Sequence, residues 1–366
     1  MNAKILKRQY ALIIFFVPFV FKFSVLPAML SERAGRDVWL TIFLIMLTEG
    51  AQLLFIVLID KKGGLDAIKE KYGNTTYYLV SLPILLILIL KASVYTAETT
   101  SYANSYLFYN ITTKGVGIIV ILASCYLAVK GAKGIGRLVE LAVWLIPVAI
   151  IIGALFGKLK LYPSYALPIC AKGIIPIALS YTDALFWALD FSPLLFFKTQ
   201  EDTLLRKEKR SKIPTIPIAI TLSILFMTLL YLFYVMNYGG AGHLVDTAFS
   251  SLGAFNVVNT EIGSIDWPAI TLWLTVAIIS LALKIFGSGA VLHSLRLPFP
   301  ISCLIVGVIV IALSQLFFYN LERAFSLATS FVKYLVFGFE IIIPMVAFAL
   351  RDFKERKGDK KVETTI

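Results

Sequence analysis

Charge is scarce in this chain, and so are the residues from which metal sites and many active sites are built. Asp, Glu, Lys and Arg make up 15% of its 366 residues, against 59% hydrophobic ones, and the mean hydropathy is +0.85. The cysteines are Cys125, Cys170 and Cys303, each in or beside a separate apolar segment and without CxxC spacing; the histidines, His243 and His293, lie far apart. Structural zinc, a disulfide framework and a redox motif are therefore unsupported. No P-loop, GxSxG, HExxH or dinucleotide fingerprint is present, so neither an enzyme nor a cofactor is expected.

What the chain has in abundance is apolar runs of about 20 residues, the length that crosses a bilayer. The expectation is an all-α polytopic membrane protein whose surroundings are lipid. A net charge of +12 raises nucleic acid as a partner. The basic residues, however, sit between apolar runs and at the tails, where they report topology instead. Ten spans are expected, at about 10–30, 38–59, 77–106, 113–130, 138–156, 173–197, 213–237, 267–288, 299–318 and 329–350. The third is long enough to tilt or project. The first follows a basic start but lacks a small-residue cleavage site, so it reads as a retained span, not a signal peptide.

Lys and Arg cluster before span 1, after spans 2, 4 and 6, and at the chain end. The alternate loops hold only Arg33, Arg36, Lys114, Lys158, Lys160 and Arg323. That bias places both termini in the cytoplasm. One transmembrane domain, 1–350, is expected, with inverted halves at about 10–156 and 173–350 and a charged cytoplasmic tail at 351–366, disordered after Lys354. Leu65 to Tyr72 reads as a turn or two of surface helix. The loop from Tyr238 to Asp266 is long enough to carry structure of its own, such as a short external helix or hairpin over the moderately apolar run Leu244 to Val258.

The stretch from Gly173 to Phe197 organises the rest. It is apolar enough to span, yet carries Asp183 and Asp190 between Pro176 and Pro193. A charge at that depth costs several kcal/mol, roughly 3 or more, and usually faces a cavity or a partner. An unbroken helix would put both acids on one face. Ser180, Tyr181 and Thr182 suit an unwound segment, so a half-broken helix lining a site is expected, with a simple Asp–Lys pair as the bland alternative. Trp187, between the acids, could cap an apolar pocket or merely pack.

Span 1 offers the matching interruption: Pro18 and Pro27 bracket Phe21, Lys22, Phe23 and Ser24, and proline removes a backbone donor. Spans 1 and 6 are corresponding members of two inverted five-span halves, where interrupted helices point to a transporter site. Half-helix N-termini there offer N–H groups to a carboxylate. Lys22 could pair with Asp183 or Asp190, as a fixed ammonium in place of a transported cation or as a structural pair. Candidate ligand-binding residues are thus Lys22, Phe23, Ser24, Ser180, Asp183, Trp187 and Asp190. Glu49, Lys91 and Glu98 are candidates for a charge relay, and Glu340 is a further intramembrane acid that could relay protons; the alternative is that these charges simply neutralise one another. Lys172 and Lys284 read as snorkelling to headgroups, and Glu140 as a partner for Arg137 or Lys133.

Three stretches add a resemblance. Ala34-Gly35-Arg36-Asp37-Val38-Trp39-Leu40 is similar to an acidic-plus-Trp entry into span 2. Val129-Lys130-Gly131-Ala132-Lys133-Gly134-Ile135-Gly136-Arg137 is similar to a basic-Gly turn opening span 5, and Leu161-Tyr162-Pro163 through Pro168, Gly173 and Pro176 to an approach to span 6. In order and spacing they resemble the GerAB-like spore germination permeases, the B subunits of nutrient germinant receptors, within the amino acid–polyamine–organocation superfamily. The chain departs from that pattern at the bulky, charged Phe21-Lys22-Phe23-Ser24 and in having Asp190 where Glu is usual. The resemblance implies a LeuT-like 5+5 inverted repeat with helices 1 and 6 broken, and a place in the spore inner membrane. It also implies a small nutrient ligand, often an amino acid and sometimes a sugar or nucleoside, with an A-type membrane subunit and a C-type lipoprotein as partners. A stand-alone amino-acid or cation-coupled secondary transporter is the competing reading.

Overall fold

The computed structural model describes residues 4–24, 26–61, 64–106, 113–156, 161–200, 215–244, 267–316 and 321–363. The chain enters on a strand, β1 (Lys4–Leu6), and a first helix broken into α1 (Lys7–Phe16), α2 (Phe19–Phe23) and α3 (Leu26–Ala34). Pro18 caps α2, and Ser24 leaves helical geometry at φ −84°, ψ −82°. Pro27 then sits in the first turn of α3, where a missing N–H costs nothing. A 3-10 turn, Gly35–Asp37, leads into α4 (Val38–Asp60). Gly35 has φ +59°, a conformation that favours glycine.

The next helix, α5 (Gly64–Tyr106), contains a kink at Gly73 (φ 85°, ψ 178°). Its first arm is the short helix expected at Leu65–Tyr72, and its second is the long third span. Then come α6 (Thr113–Val129), α7 (Gly131–Phe156), α8 (Ile174–Asp183), strand β2 (Lys198–Gln200) and α9 (Thr215–Tyr238). The last four helices are α10 (Trp267–Ser294), α11 (Phe299–Leu316), α12 (Leu321–Thr329) and α13 (Val332–Glu363).

Among the described residues, six helices are long and apolar enough to cross a membrane; α6 and α7, bent by 118°, would count as a seventh if they form one span. The expected spans at 10–30 and 173–197 are interrupted into pieces too short to qualify singly. All-α polytopic architecture is thus plain from the helices themselves.

Two expectations about the periphery change. The tail does not leave the helix after Lys354, because α13 continues to Glu363. Glu140 binds neither Arg137 nor Lys133 but Arg8, at 2.6 Å, with Gln9 donating to its other oxygen at 3.2 Å. The cause is a feature absent from the sequence reading: β1 and β2 pair in parallel, Ile5 opposite Thr199, which draws the N-terminal tail onto the bundle. Asp60 accepts from Thr199 Oγ1 at 2.5 Å, and Asp66 pairs with Lys198 at 2.7 Å. The external helix or hairpin expected over Leu244 to Val258 lies almost wholly outside the described residues.

The core runs through the middle of the bundle, with α10 at its centre: Val276, Ala277, Ile279, Leu281, Ala282, Ile285 and Phe286 are all fully buried. Glycine sets how close the helices come. A Cβ on Gly307 would run into Cys125 Sγ, and one on Gly289 would lie 2.7 Å from Cys303 Sγ.

Candidate functional site

The site begins where α8 stops. Ser180, Tyr181 and Thr182 remain helical, and the unwinding starts after Asp183. This corrects the expectation that those three polar residues form the break. Ser180 instead ties α8 to α3, its hydroxyl donating to the Leu30 carbonyl at 3.1 Å. Beyond Asp183 the chain turns irregularly, with Leu189 at φ 64°, before the 3-10 turn Ser192–Phe196 that contains Pro193.

Backbone opened at membrane depth must find partners inside the protein, and here buried side chains supply them. Lys91 Nζ donates to the Ala188 carbonyl at 2.6 Å. The Gln52 amide reaches the Leu189 carbonyl at 3.4 Å and donates to Ser192 Oγ at 3.0 Å. Glu49 Oε1 accepts from the Asp190 N–H at 3.3 Å.

Asp190, held at this turn, is the hub of a buried charge cluster. Lys22 Nζ lies 2.8 Å from its Oδ2 and 2.7 Å from Glu49 Oε1. Lys284 and Lys91 approach Oδ1 at 3.4 and 3.6 Å. Tyr95 donates to Oδ1 at 2.9 Å, while Phe21 stacks on the Tyr95 ring with centroids 3.9 Å apart. Lys91 makes its shorter pair with Glu340 Oε2, at 2.6 Å, and Ser192 donates to Glu340 Oε1 at 3.1 Å. Tyr231 donates to the Lys22 carbonyl at the α2–α3 break. The side chains of Lys22, Glu49, Lys91 and Asp190 are 0% exposed. Three ammoniums therefore meet three carboxylates with no water-exposed member, in the arrangement a low-dielectric interior demands.

Trp187 extends the cluster. Its indole N–H donates to Glu98 Oε1 at 2.7 Å, and its ring stacks on Phe325 at 5.1 Å. Lys91 and Glu98, two turns apart on α5, do not pair with each other. Ser24 is buried, its hydroxyl without a partner among the described residues. The side chain of Phe23 lies outside what is described.

The two acids of the organising stretch do not share a face. Asp183, at the end of α8, pairs with Arg33 at 2.5 Å and Lys333 at 2.9 Å, apart from the Asp190 cluster, because the helix ends between them. The bland alternative, an acid simply paired with a neighbouring base, thus describes Asp183 better than Asp190. Lys284 is a second correction: it is a buried member of the cluster, not a snorkelling residue. The expected span ended at 288, near Lys284, but α10 runs on to Ser294 and places Lys284 about 15 Å from the helix end. Glu340, expected as an intramembrane acid, joins the cluster, whereas Tyr95 and Gln52 are not among the expected site residues; a polar residue inside an apolar run is the signal they carry.

Compared with known families, residues 4–324 match the family described as spore germination protein, Spore_permease. Among curated proteins, none matches the chain.

Proposed function

The chain belongs to the spore germination protein family, and from that premise we propose that it is the transporter-fold subunit of a nutrient germinant receptor. In this reading it has ten spans in two inverted halves of five. The interrupted helix of α1–α3 and the one begun by α8 are the corresponding members. α6 and α7, bent by 118°, count as two spans. The chain sits in the spore inner membrane with both termini cytoplasmic, beside an A-type membrane subunit and a C-type lipoprotein.

One observation carries the reading: the two interrupted helices meet at a buried ion pair, Lys22 with Asp190. Interruptions at matching places in inverted halves are where transporters of this class bind substrate and coupling ion. Lys22 sits between Glu49 and Asp190 as a fixed ammonium, in place of a mobile cation. A small zwitterion, an amino acid, exchanges with these internal pairs: its ammonium faces Asp190 or Glu49, its carboxylate the lysines. A ligand that favours one arrangement of such an element shifts its population, and partner subunits read that shift.

The test is thermal stabilisation of the purified protein by amino acids, sugars and nucleosides, repeated in Asp190→Asn and Lys22→Ala. Stabilisation by an amino acid that disappears in Asp190→Asn supports the site. A Lys22→Ala protein that becomes sodium-dependent supports the fixed-cation role, whereas unchanged binding and stability refute it. Uptake of the stabilising amino acid into liposomes by this chain alone would favour the free-standing transporter over the receptor subunit.

A further inference from the structure

A second concave site lies away from the charge cluster, at the corner where α3 turns into α4. It is a pocket of about 280 Å³ lined by Ser31 to Asp37 apart from Arg33, by Ala171 and Lys172, and by Gly240 and His243. That volume is just under the roughly 300 Å³ at which drug-sized pockets begin, so it suits a metabolite of amino-acid size. It shares no residue with the Asp190 cluster.

Its walls are built by specific devices. Gly35 takes a left-handed φ of +59°, which favours glycine at this corner, and the Lys172 ammonium lies within ordinary contact distance of it, 3.8 Å from where a Cβ would be. A Cβ on Gly240 would meet nothing within 4 Å. Asp37 is buried, its Oδ1 accepting from the Cys170 N–H at 2.9 Å, and Arg36 donates to the Leu167 carbonyl. His243 Nδ1 donates to the Gly240 carbonyl at 3.0 Å. These contacts commit Asp37, Arg36 and one imidazole nitrogen to holding the pocket together.

Among the described residues neither Glu32 nor Lys172, both exposed at the pocket's rim, makes a hydrogen bond or ion pair. Arg36 is held only to a neutral carbonyl and, among the same residues, has no carboxylate beside it. The pocket therefore presents one carboxylate without a partner and two cations without a carboxylate, Lys172 and Arg36, an arrangement that complements a zwitterion. We infer that this pocket is a binding site for a free α-amino acid, whose carboxylate pairs with Lys172 and whose ammonium pairs with Glu32. It goes beyond the central site proposed above and stands on separate residues. A ligand with a single charge satisfies one wall and leaves the other unanswered, which is the basis of selectivity here.

The experiment is equilibrium binding to the full-length chain in lipid nanodiscs, using the common L-amino acids one at a time, with propionate and propylamine as single-charge probes. At least one amino acid binds, and both single-charge probes bind on the order of tenfold more weakly or less, the worth of one charge-assisted contact. Lys172→Ala and Glu32→Ala each weaken the amino acid by about the same factor, and the exchange Lys172→Glu with Glu32→Lys restores part of the loss. Amino-acid binding unchanged in both single variants overturns the inference, as does binding of propionate as tight as that of any amino acid, or no amino-acid binding at millimolar concentration. The same titrations are run in the Asp190→Asn background, where the central site is disabled. Binding that persists there and is lost in Lys172→Ala reports this pocket alone, and its absence there overturns this inference while leaving the central reading standing.

Discussion

Replacing Asp190 by Asn keeps the volume of the side chain and removes the charge on which three lysines converge. Lys22 retains Glu49 at 2.7 Å and Lys91 retains Glu340 at 2.6 Å. Lys284 retains no carboxylate within ion-pair distance among the described residues, but keeps Ser280 Oγ at 3.1 Å and the faces of Tyr95 at 4.5 Å and Phe21 at 6.0 Å. Removing one partner of a buried pair costs about 3–5 kcal/mol, because the other charge stays buried without compensation. At about 2 °C per kcal/mol, the lower edge of the range for large domains, Asp190→Asn should melt roughly 6–10 °C below wild type in lipid nanodiscs. Since Lys284 is the ammonium left over, Lys284→Met added to Asp190→Asn should recover part of that loss, and the double-mutant cycle should show coupling on the order of 1–3 kcal/mol. A melting point within about 2 °C of wild type for Asp190→Asn, or strict additivity with Lys284→Met, would refute the claim that Asp190 holds these lysines in place.

Asp183→Asn should behave differently: Asp183 is 19% and Arg33 52% exposed, but its second partner, Lys333, is only 9% exposed, so the stability cost should fall between the roughly 1 kcal/mol of an exposed pair and the roughly 3–5 kcal/mol of a buried one. Urea or thermal unfolding checks this, and on the proposed function the nutrient response should fall while membrane insertion stays intact. Gly307→Ala should destabilise by roughly 1–3 kcal/mol through overpacking, because its Cβ would press on Cys125 Sγ; adding Cys125→Ala should relieve it, as the same unfolding assay would show.

Much of this arrangement is legible in the sequence because membranes make polar residues conspicuous. Lys22, Glu49, Lys91, Glu98, Asp190 and Glu340 each interrupt an apolar run, and all are buried. Proline marks where helices are disturbed, and Pro18, Pro27 and Pro193 all lie at or beside interruptions. Pairing is another matter. Helical periodicity puts Asp183 and Asp190 on one face, but a helix that ends at Asp183 cancels the periodicity, and nothing local fixes that end to the residue. Lys284 was hidden by a span boundary drawn a turn and a half too early. The strand pair of Lys4–Leu6 with Lys198–Gln200 has no local pattern at all, since a short parallel pairing between distant segments is decided by where the helices deliver their ends.

The cluster also bears on which nutrients the proposed receptor can use. Every ammonium in it already has a carboxylate, and the opened backbone at Ala188, Leu189 and Asp190 is already hydrogen-bonded. A neutral sugar or nucleoside entering between Lys22 and Asp190 would separate these buried charges and replace neither, at a cost of several kcal/mol, roughly 3–5. A zwitterion brings an ammonium for the carboxylate and a carboxylate for the ammonium, so each severed pair is remade with the ligand. The opposition between the two states is then electrostatic: one closed on its own lysine, one closed on the ligand, with little to stabilise anything between. An element with two satisfied arrangements and a poorly satisfied intermediate is the kind that switches instead of deforming gradually, which is what a subunit that reports a nutrient to its partners requires.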